Sequence, residues 1–131
     1  MGVFDSLFGG KGEKEKTAKK VVPWIPLTSL DQLSEIGQKS SSKTQLIFKH
    51  SNTCGISRMV MNLFGGNYRF TNDQIDLYYL DIHAYREVSN EIGHHFQVVH
   101  QSPQLLVIRN GTVVAHASHG AITEVDLERY L

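Results

Sequence analysis

Residues 48–60 read FKHSNTCGISRMV, and this stretch decides the fold. Leu46 to His50 is short and, in its apolar part, rich in β-favouring residues, which predicts a buried strand. A polar turn follows, and a helix is predicted from about Cys54 to Phe64, stopped by Gly65 and Gly66. Ile56, Met59, Val60, Leu63 and Phe64 fall on one face of that helix. Cys54 therefore opens a helix that follows a core strand. A thiol in that position meets unpaired backbone N–H groups and the positive end of the helix dipole. Both favour the thiolate, which is the nucleophile in disulfide exchange. Lys49 and His50 adjoin the turn, but a strand alternates faces, so the two cannot point the same way.

Upstream, Val21, Val22, Trp24 and Ile25 form an apolar stretch interrupted by Pro23 and Pro26. Proline removes ladder donors, so this reads as an edge strand. Ser29 with Gln32 three residues on reads as a capping box, and Leu30, Leu33 and Ile36 supply the stripe of a helix ending near residue 39 or 40. Downstream, residues 75–82 (IDLYYLDI) read as a strand covered on both faces. Tyr85 to Gly93 reads as a helix with Ala84, Tyr85, Val88 and Ile92 inward. Gln104 to Ile108 and Thr112 to Ala117 flank Asn110-Gly111, the strongest short hairpin signal, because both positions of a type I′ turn need positive φ. Thr123 with Asp126 is expected to open a last helix packed through Val125, Leu127, Tyr130 and Leu131. Short crossovers favour parallel pairing early and the hairpin adds antiparallel strands late, giving an α/β fold with helices on both faces of a mixed sheet.

The 131 residues suit one domain, and lysine plus arginine balance aspartate plus glutamate at 13 each. That balance gives no argument for a nucleic-acid partner. A single cysteine cannot close an internal disulfide. No apolar run approaches the roughly 20 residues that span a bilayer, and no secretory segment is evident, so a cytoplasmic location is expected. Residues 1–20 stand apart as a flexible, amphipathic and lysine-rich tail. Phe4, Leu7 and Phe8 lie at helical spacing before Gly9-Gly10, and the run after them holds five lysines against two glutamates. A peripheral membrane contact by the apolar end is the one membrane role this tail suggests. The domain proper is residues 21–131.

Ser57 stands three residues after Cys54, on the same side of the first helical turn, where its hydroxyl can donate to a thiolate. It cannot resolve a mixed disulfide as a second cysteine does, so a thiol from outside must complete any cycle. Gly55 puts no side chain beside the sulfur, and Ile56 reads as an apolar lip. Asp81 ends a central strand, either to cap the next helix or to serve a proton near the cysteine. The seven histidines show no compact ligand spacing, so no metal site is assigned. His119, at the end of the last strand, is the histidine placed to approach the site.

Three segments, FKHSNTCGISRMV, YYLDIHAYREVSNEIG and HQSPQLLVIRNGTVVAHASHGAIT, resemble the thioredoxin superfamily, and within it the bacillithiol-system redox proteins of the monothiol bacilliredoxin (YtxJ-like) type. The resemblance covers roughly residues 44–123. It implies a thioredoxin-like three-layer α/β/α fold with a central mixed sheet. It also implies a cytoplasmic thiol-disulfide oxidoreductase that removes bacillithiol from protein mixed disulfides. Cys54 is then the attacking group and Ser57 stands where a resolving cysteine occurs elsewhere. Pro103 is implied to be cis and to face Cys54. Thr53, Gly55, Ile56, Ser102, Pro103 and His119 form the implied substrate-binding set. No cofactor is held. Bacillithiol is the implied co-substrate, and S-bacillithiolated proteins are the implied partners. Two positions depart from the pattern: Gly55 where proline is common, and Gly120 where an aromatic residue is common. Other readings of the same residues are a non-enzymatic thioredoxin-fold adaptor or stress-response protein, a glutaredoxin-like use of glutathione, and metal or cluster binding through Cys54 across a dimer.

Overall fold

The computed structural model describes residues 21–131; the tail expected at residues 1–20 lies outside them. Five strands form one mixed sheet: β1 (Trp24–Pro26), β2 (Thr44–His50), β3 (Ile75–Asp81), β4 (Gln104–Arg109) and β5 (Thr112–Ser118), in the order β1-β3-β2-β4-β5. β1 and β2 pair parallel with β3, whereas β4 runs antiparallel to both β2 and β5. The proline-flanked β1 is an edge strand, where a missing donor costs least. Among the described residues the α-helices are α1 (Asp31–Lys39), α2 (Gly55–Asn67) and α3 (Arg86–Phe96). This is the thioredoxin-like α/β/α arrangement with a central mixed sheet.

Strand alternation sorts the core into two layers. Ile47, Tyr78, Leu80, Leu106 and Ile108 pack with Leu33, Ile36, Val88, Ile92 and Phe96 from α1 and α3. On the other face, Leu46, Phe48, Ile75, Leu77, Leu105 and Val107 pack with Val60 and Phe64 from α2. The hairpin has the expected chemistry: Asn110 and Gly111 both take positive φ, 53° and 81°. Its tip is held by Ser40, whose carbonyl accepts from the Asn110 N–H and whose Oγ accepts from the Gly111 N–H, each at 2.8 Å.

Helix ends depart from the sequence reading. α1 is immediately preceded by Leu30, which is exposed, and Ser29 Oγ caps no helix N–H; the Gln32 half of the expected capping box is present, with Oε1 accepting from the Ser29 N–H at 3.1 Å and from the Thr28 N–H at 2.8 Å. α2 runs through Gly65 and Gly66 to Asn67. A Cβ at Gly65 would stand 3.2 Å from Val22 Cγ2, so this glycine admits the entering chain and does not stop the helix. The expected apolar face of α2 also divides: Val60 and Phe64 are buried, while Ile56, Met59 and Leu63 are more than half exposed. α3 starts after Tyr85, which is exposed together with Ala84, and continues to Phe96, where Gln97 closes it in the left-handed region. The last helix is replaced by two 3-10 segments, His119–Glu124 and Leu127–Tyr130, separated by extended backbone at Val125. Thr123 Oγ1 donates back to the Gly120 carbonyl and caps nothing. Each segment is too short to nucleate an α-helix on its own.

Candidate functional site

The sheet register brings four chain segments to one end. His50, the last residue of β2, lies opposite Asp81, the last of β3. Lys49 lies opposite Gln104, the first residue of β4, and Gln104 lies opposite Ser118, the last of β5. The turn 51–54, the segment after Asp81, Ser102-Pro103 and His119 therefore share the end of the sheet at which the parallel strands finish, the usual place for sites in such sheets.

Cys54 is the N-cap residue of α2, with extended backbone (φ −110°, ψ 120°), and its side chain makes no capping hydrogen bond. Its N–H donates to Ser51 O at 3.3 Å, and its carbonyl accepts the first helical bond, from Arg58 N–H, at 3.1 Å. Cys54 as a residue is half-buried. It stands where the free N–H groups of a helix attract negative charge. Gly55 is exposed, with nothing within 4 Å of where a Cβ would stand. Ile56 is 55% exposed beside it. Thr53 is exposed and its Oγ1 lies 3.1 Å from Ser51 Oγ.

Ser57 is wholly buried. Sequence reading offers its hydroxyl to the sulfur; in the structure Oγ accepts from Ser51 N–H at 3.0 Å and lies 2.9 Å from His50 Nδ1. The N3 position turns it inward against the end of β2. His50, on the α2 side of the sheet with Leu46 and Phe48, is the residue the sequence reading passed over. Alternation alone, by giving it the parity of those core residues, was the available signal. Its Nε2 lies 3.0 Å from Asn52 Oδ1, and Asn52 Nδ2 donates to Asp81 Oδ2 at 2.8 Å. Burial holds the His50 imidazole below its ordinary pKa, partly opposed by Asn52 and the Asp81 charge. Asp81 also accepts from His83 and Ala84 N–H groups through Oδ1, so it serves both as a turn cap and as the end of this polar chain. His83 Nε2 closes the cluster, 3.0 Å from Ser51 Oγ.

The Ser102-Pro103 peptide bond is cis. Pro103 is buried, and its carbonyl accepts from the His119 N–H at 3.0 Å. His119 itself is exposed and adopts φ 57° as β5 gives way to the first 3-10 segment. Ser102 Oγ is buried with no hydrogen-bond partner among the described residues. The structure thus gathers Thr53 through Ser57 in one turn and ties His119 to Pro103. Among the described residues, no three histidine, cysteine or acidic side chains converge as metal ligands.

A family model described as monothiol bacilliredoxin BrxC matches residues 25–127. The chain belongs to the monothiol bacilliredoxin family. With one cysteine and no partner for it in the chain, its thiol exchange is of the monothiol type, and it is a monothiol thiol-disulfide oxidoreductase with a bacillithiol-linked redox role. Among solved structures, a candidate oxidoreductase with a thioredoxin fold is 31% identical, with a TM-score of 0.69 over 82% of this chain and 93% of that one. Thioredoxin NaTrxh from Nicotiana alata is 18% identical (TM-score 0.64, 86% and 92% covered). Malassezia sympodialis thioredoxin is also 18% identical (TM-score 0.59, 82% and 96% covered). The thioredoxins support the fold alone. No helix among the described residues is long and apolar enough to cross a membrane.

Proposed function

We propose that Cys54 removes bacillithiol from protein mixed disulfides. The observation that carries this reading is a lone, half-buried cysteine at the open N-terminus of α2 in a chain of the monothiol bacilliredoxin family. The Cys54 thiolate attacks the bacillithiol sulfur of a protein–bacillithiol disulfide. A Cys54–bacillithiol disulfide forms, the protein sulfur leaves as thiolate and takes up a proton, and the substrate is thereby reduced. A second low-molecular-weight thiol attacks the adduct, leaves as the mixed or symmetric disulfide with bacillithiol, and returns Cys54. Serine at position 57 offers no internal thiol, so the cycle rests at the adduct until that second thiol arrives.

Thr53, Gly55 and Ile56, exposed neighbours of Cys54 in the chain, are assigned to receive the incoming disulfide, with open space where a Gly55 Cβ would stand. Ser102, Pro103 and His119 are assigned to hold the polypeptide or thiol. The cytoplasm is the proposed compartment, since a thiol exchanger of this kind needs a reduced thiol pool. The test is incubation with a bacillithiolated protein followed by intact-mass analysis. A bacillithiol adduct on Cys54 with release of reduced substrate is expected. Transfer from a glutathionylated protein at the same rate, or none from either, defeats the assignment.

A further inference from the structure

Arg58 brackets the turn that carries Cys54. Its backbone N–H donates to the Cys54 carbonyl at 3.1 Å, and its guanidinium Nη1 donates to the Asn52 carbonyl at 3.1 Å. The side chain therefore runs back toward the start of α2, as helical side chains do, and is held beside residues 52–54. A guanidinium carries several N–H donors in a planar fork. Among the described residues only the bond to Asn52 engages them; Arg58 is exposed and forms no ion pair there. Asp81, the carboxylate joined to this turn, is committed to Asn52 Nδ2 and to the His83 and Ala84 N–H groups. Lys49, the lysine next to the turn, is buried and engaged by Gln104. The first turn of α2 holds no acidic side chain. An exposed, permanently charged fork without an anion thus stands on the turn of the reacting cysteine, and such a fork matches a carboxylate bidentately.

We infer that Arg58 is a specificity-determining residue, whose guanidinium binds a carboxylate of the low-molecular-weight thiol while the sulfur of that thiol meets Cys54. This role deepens the function proposed above and rests on Cys54 being the reacting sulfur. Bacillithiol carries carboxylates through its malate, and glutathione through its glutamate and glycine, so the chemistry recognised is a carboxylate on a small thiol. The contact breaks no bond and moves no proton. It holds the small-thiol half of the mixed disulfide, whatever protein forms the other half.

The test uses a pair of alkylating agents that differ in charge. Iodoacetate and iodoacetamide consume the same Cys54 thiolate and expel the same iodide, so the ratio of their rates in the full chain is blind to the acidity of the thiol. A cation a few ångströms away in water favours the anionic reagent about threefold. Arg58→Gln is therefore expected to lower the iodoacetate-to-iodoacetamide ratio about threefold at low salt. That difference should fade near about 1 M salt, and Arg58→Lys should keep most of the wild-type ratio. A ratio unchanged in Arg58→Gln, or a fall that salt leaves untouched, overturns the inference. Transfer from bacillithiolated and glutathionylated forms of one test protein then identifies the thiol. Arg58→Gln is expected to raise KM more than it lowers kcat, and Arg58→Lys to recover only part of the loss, because a point charge lacks the fork. A rise confined to one donor names the thiol whose carboxylate Arg58 holds; a rise for neither donor overturns the role. If the wild type transfers neither thiol while the alkylation ratio still falls in Arg58→Gln, the function proposed above fails and the anion contact beside Cys54 stands.

Discussion

Lys49 Nζ donates to Gln104 Oε1 at 3.0 Å across the antiparallel β2–β4 pair, with the lysine almost wholly buried. The same oxygen accepts the Gln101 N–H at 3.2 Å, and Gln104 Nε2 donates to Val99 O at 3.0 Å. One glutamine therefore ties the segment that leads into Pro103 to the strand that leads into Cys54. Lys49 reaches it from the face of the sheet opposite α2, so its charge belongs to this tether and not to the sulfur.

The tether has a pH signature. Burial lowers the Lys49 pKa to about 8. Between that value and the unfolded one near 10.4, the unfolded chain binds the extra proton, so stability rises with pH through this window. Relative to Lys49→Met, the wild type is expected to gain on the order of 1–3 kcal/mol from about pH 7.5 to about pH 10, read by urea unfolding at stepped pH. Comparison with the variant cancels Tyr78 and Tyr79, whose pKa values are raised by burial and which act in the opposite sense at the alkaline end. Parallel pH dependences of the two proteins would refute the assignment.

On the acid side, His50 and His100 are both held below their ordinary pKa, first by burial, with the Lys49 charge a further cause at His100. Their native forms resist protonation while the unfolded chain accepts it. Stability is thus expected to be lost as pH falls from about 6.5 through the folded values. His100→Gln should flatten part of that loss in a thermal melting series between about pH 7 and pH 5. A variant with the wild-type acid slope would show that His100 does not contribute.

The strands, the hairpin and the place of Cys54 were legible in the sequence because their signals are local: β-rich runs, Asn-Gly, a polar turn before an apolar helix. The helix ends were not. Gly65 looks like a stop in one dimension and is a point of close approach to Val22 in three. Thr123 and Asp126 have capping spacing, but the chain after β5 turns too often to lay down an α-helix. Alternation puts His50 and Lys49 on opposite faces without naming partners, and those of His50 come from a turn, from the first turn of α2 and, through Asn52, from the end of a parallel strand. No spacing rule links residues 50, 52, 57 and 81; the register of β2 on β3 sets His50 opposite Asp81, and the turn after β2 brings Asn52 and Ser57 to them.

The two adjacent glycines of α2 separate backbone entropy from packing. A Cβ at Gly66 meets nothing within 4 Å, so Gly66→Ala is expected to stabilise by about 0.5–1 kcal/mol through helix propensity alone. At Gly65 the same gain is set against a contact of 3.2 Å with Val22 Cγ2, a side chain at the start of the described chain that must shift by a few tenths of an ångström. Gly65→Ala should fall short of Gly66→Ala in denaturant midpoint. Equal gains would show that Val22 yields freely and that close approach is not what Gly65 supplies.

Cys54 joins the chemistry to the helix start, and substitutions there should separate the two. Cys54 makes no side-chain capping hydrogen bond and is only half-buried as a residue, so Cys54→Ala is expected to fold with little loss. Serine is a much better N-cap than alanine, because its oxygen accepts from the N–H of the second or third helical residue. Cys54→Ser should therefore be more stable than Cys54→Ala by about 1 kcal/mol. Neither variant retains a thiol, so both should lose exchange completely, and activity should not follow stability. The measurement is a urea midpoint beside a transfer assay on the same samples. Equal midpoints would place residue 54 outside the capping position, and residual transfer in either variant would place the reacting group elsewhere.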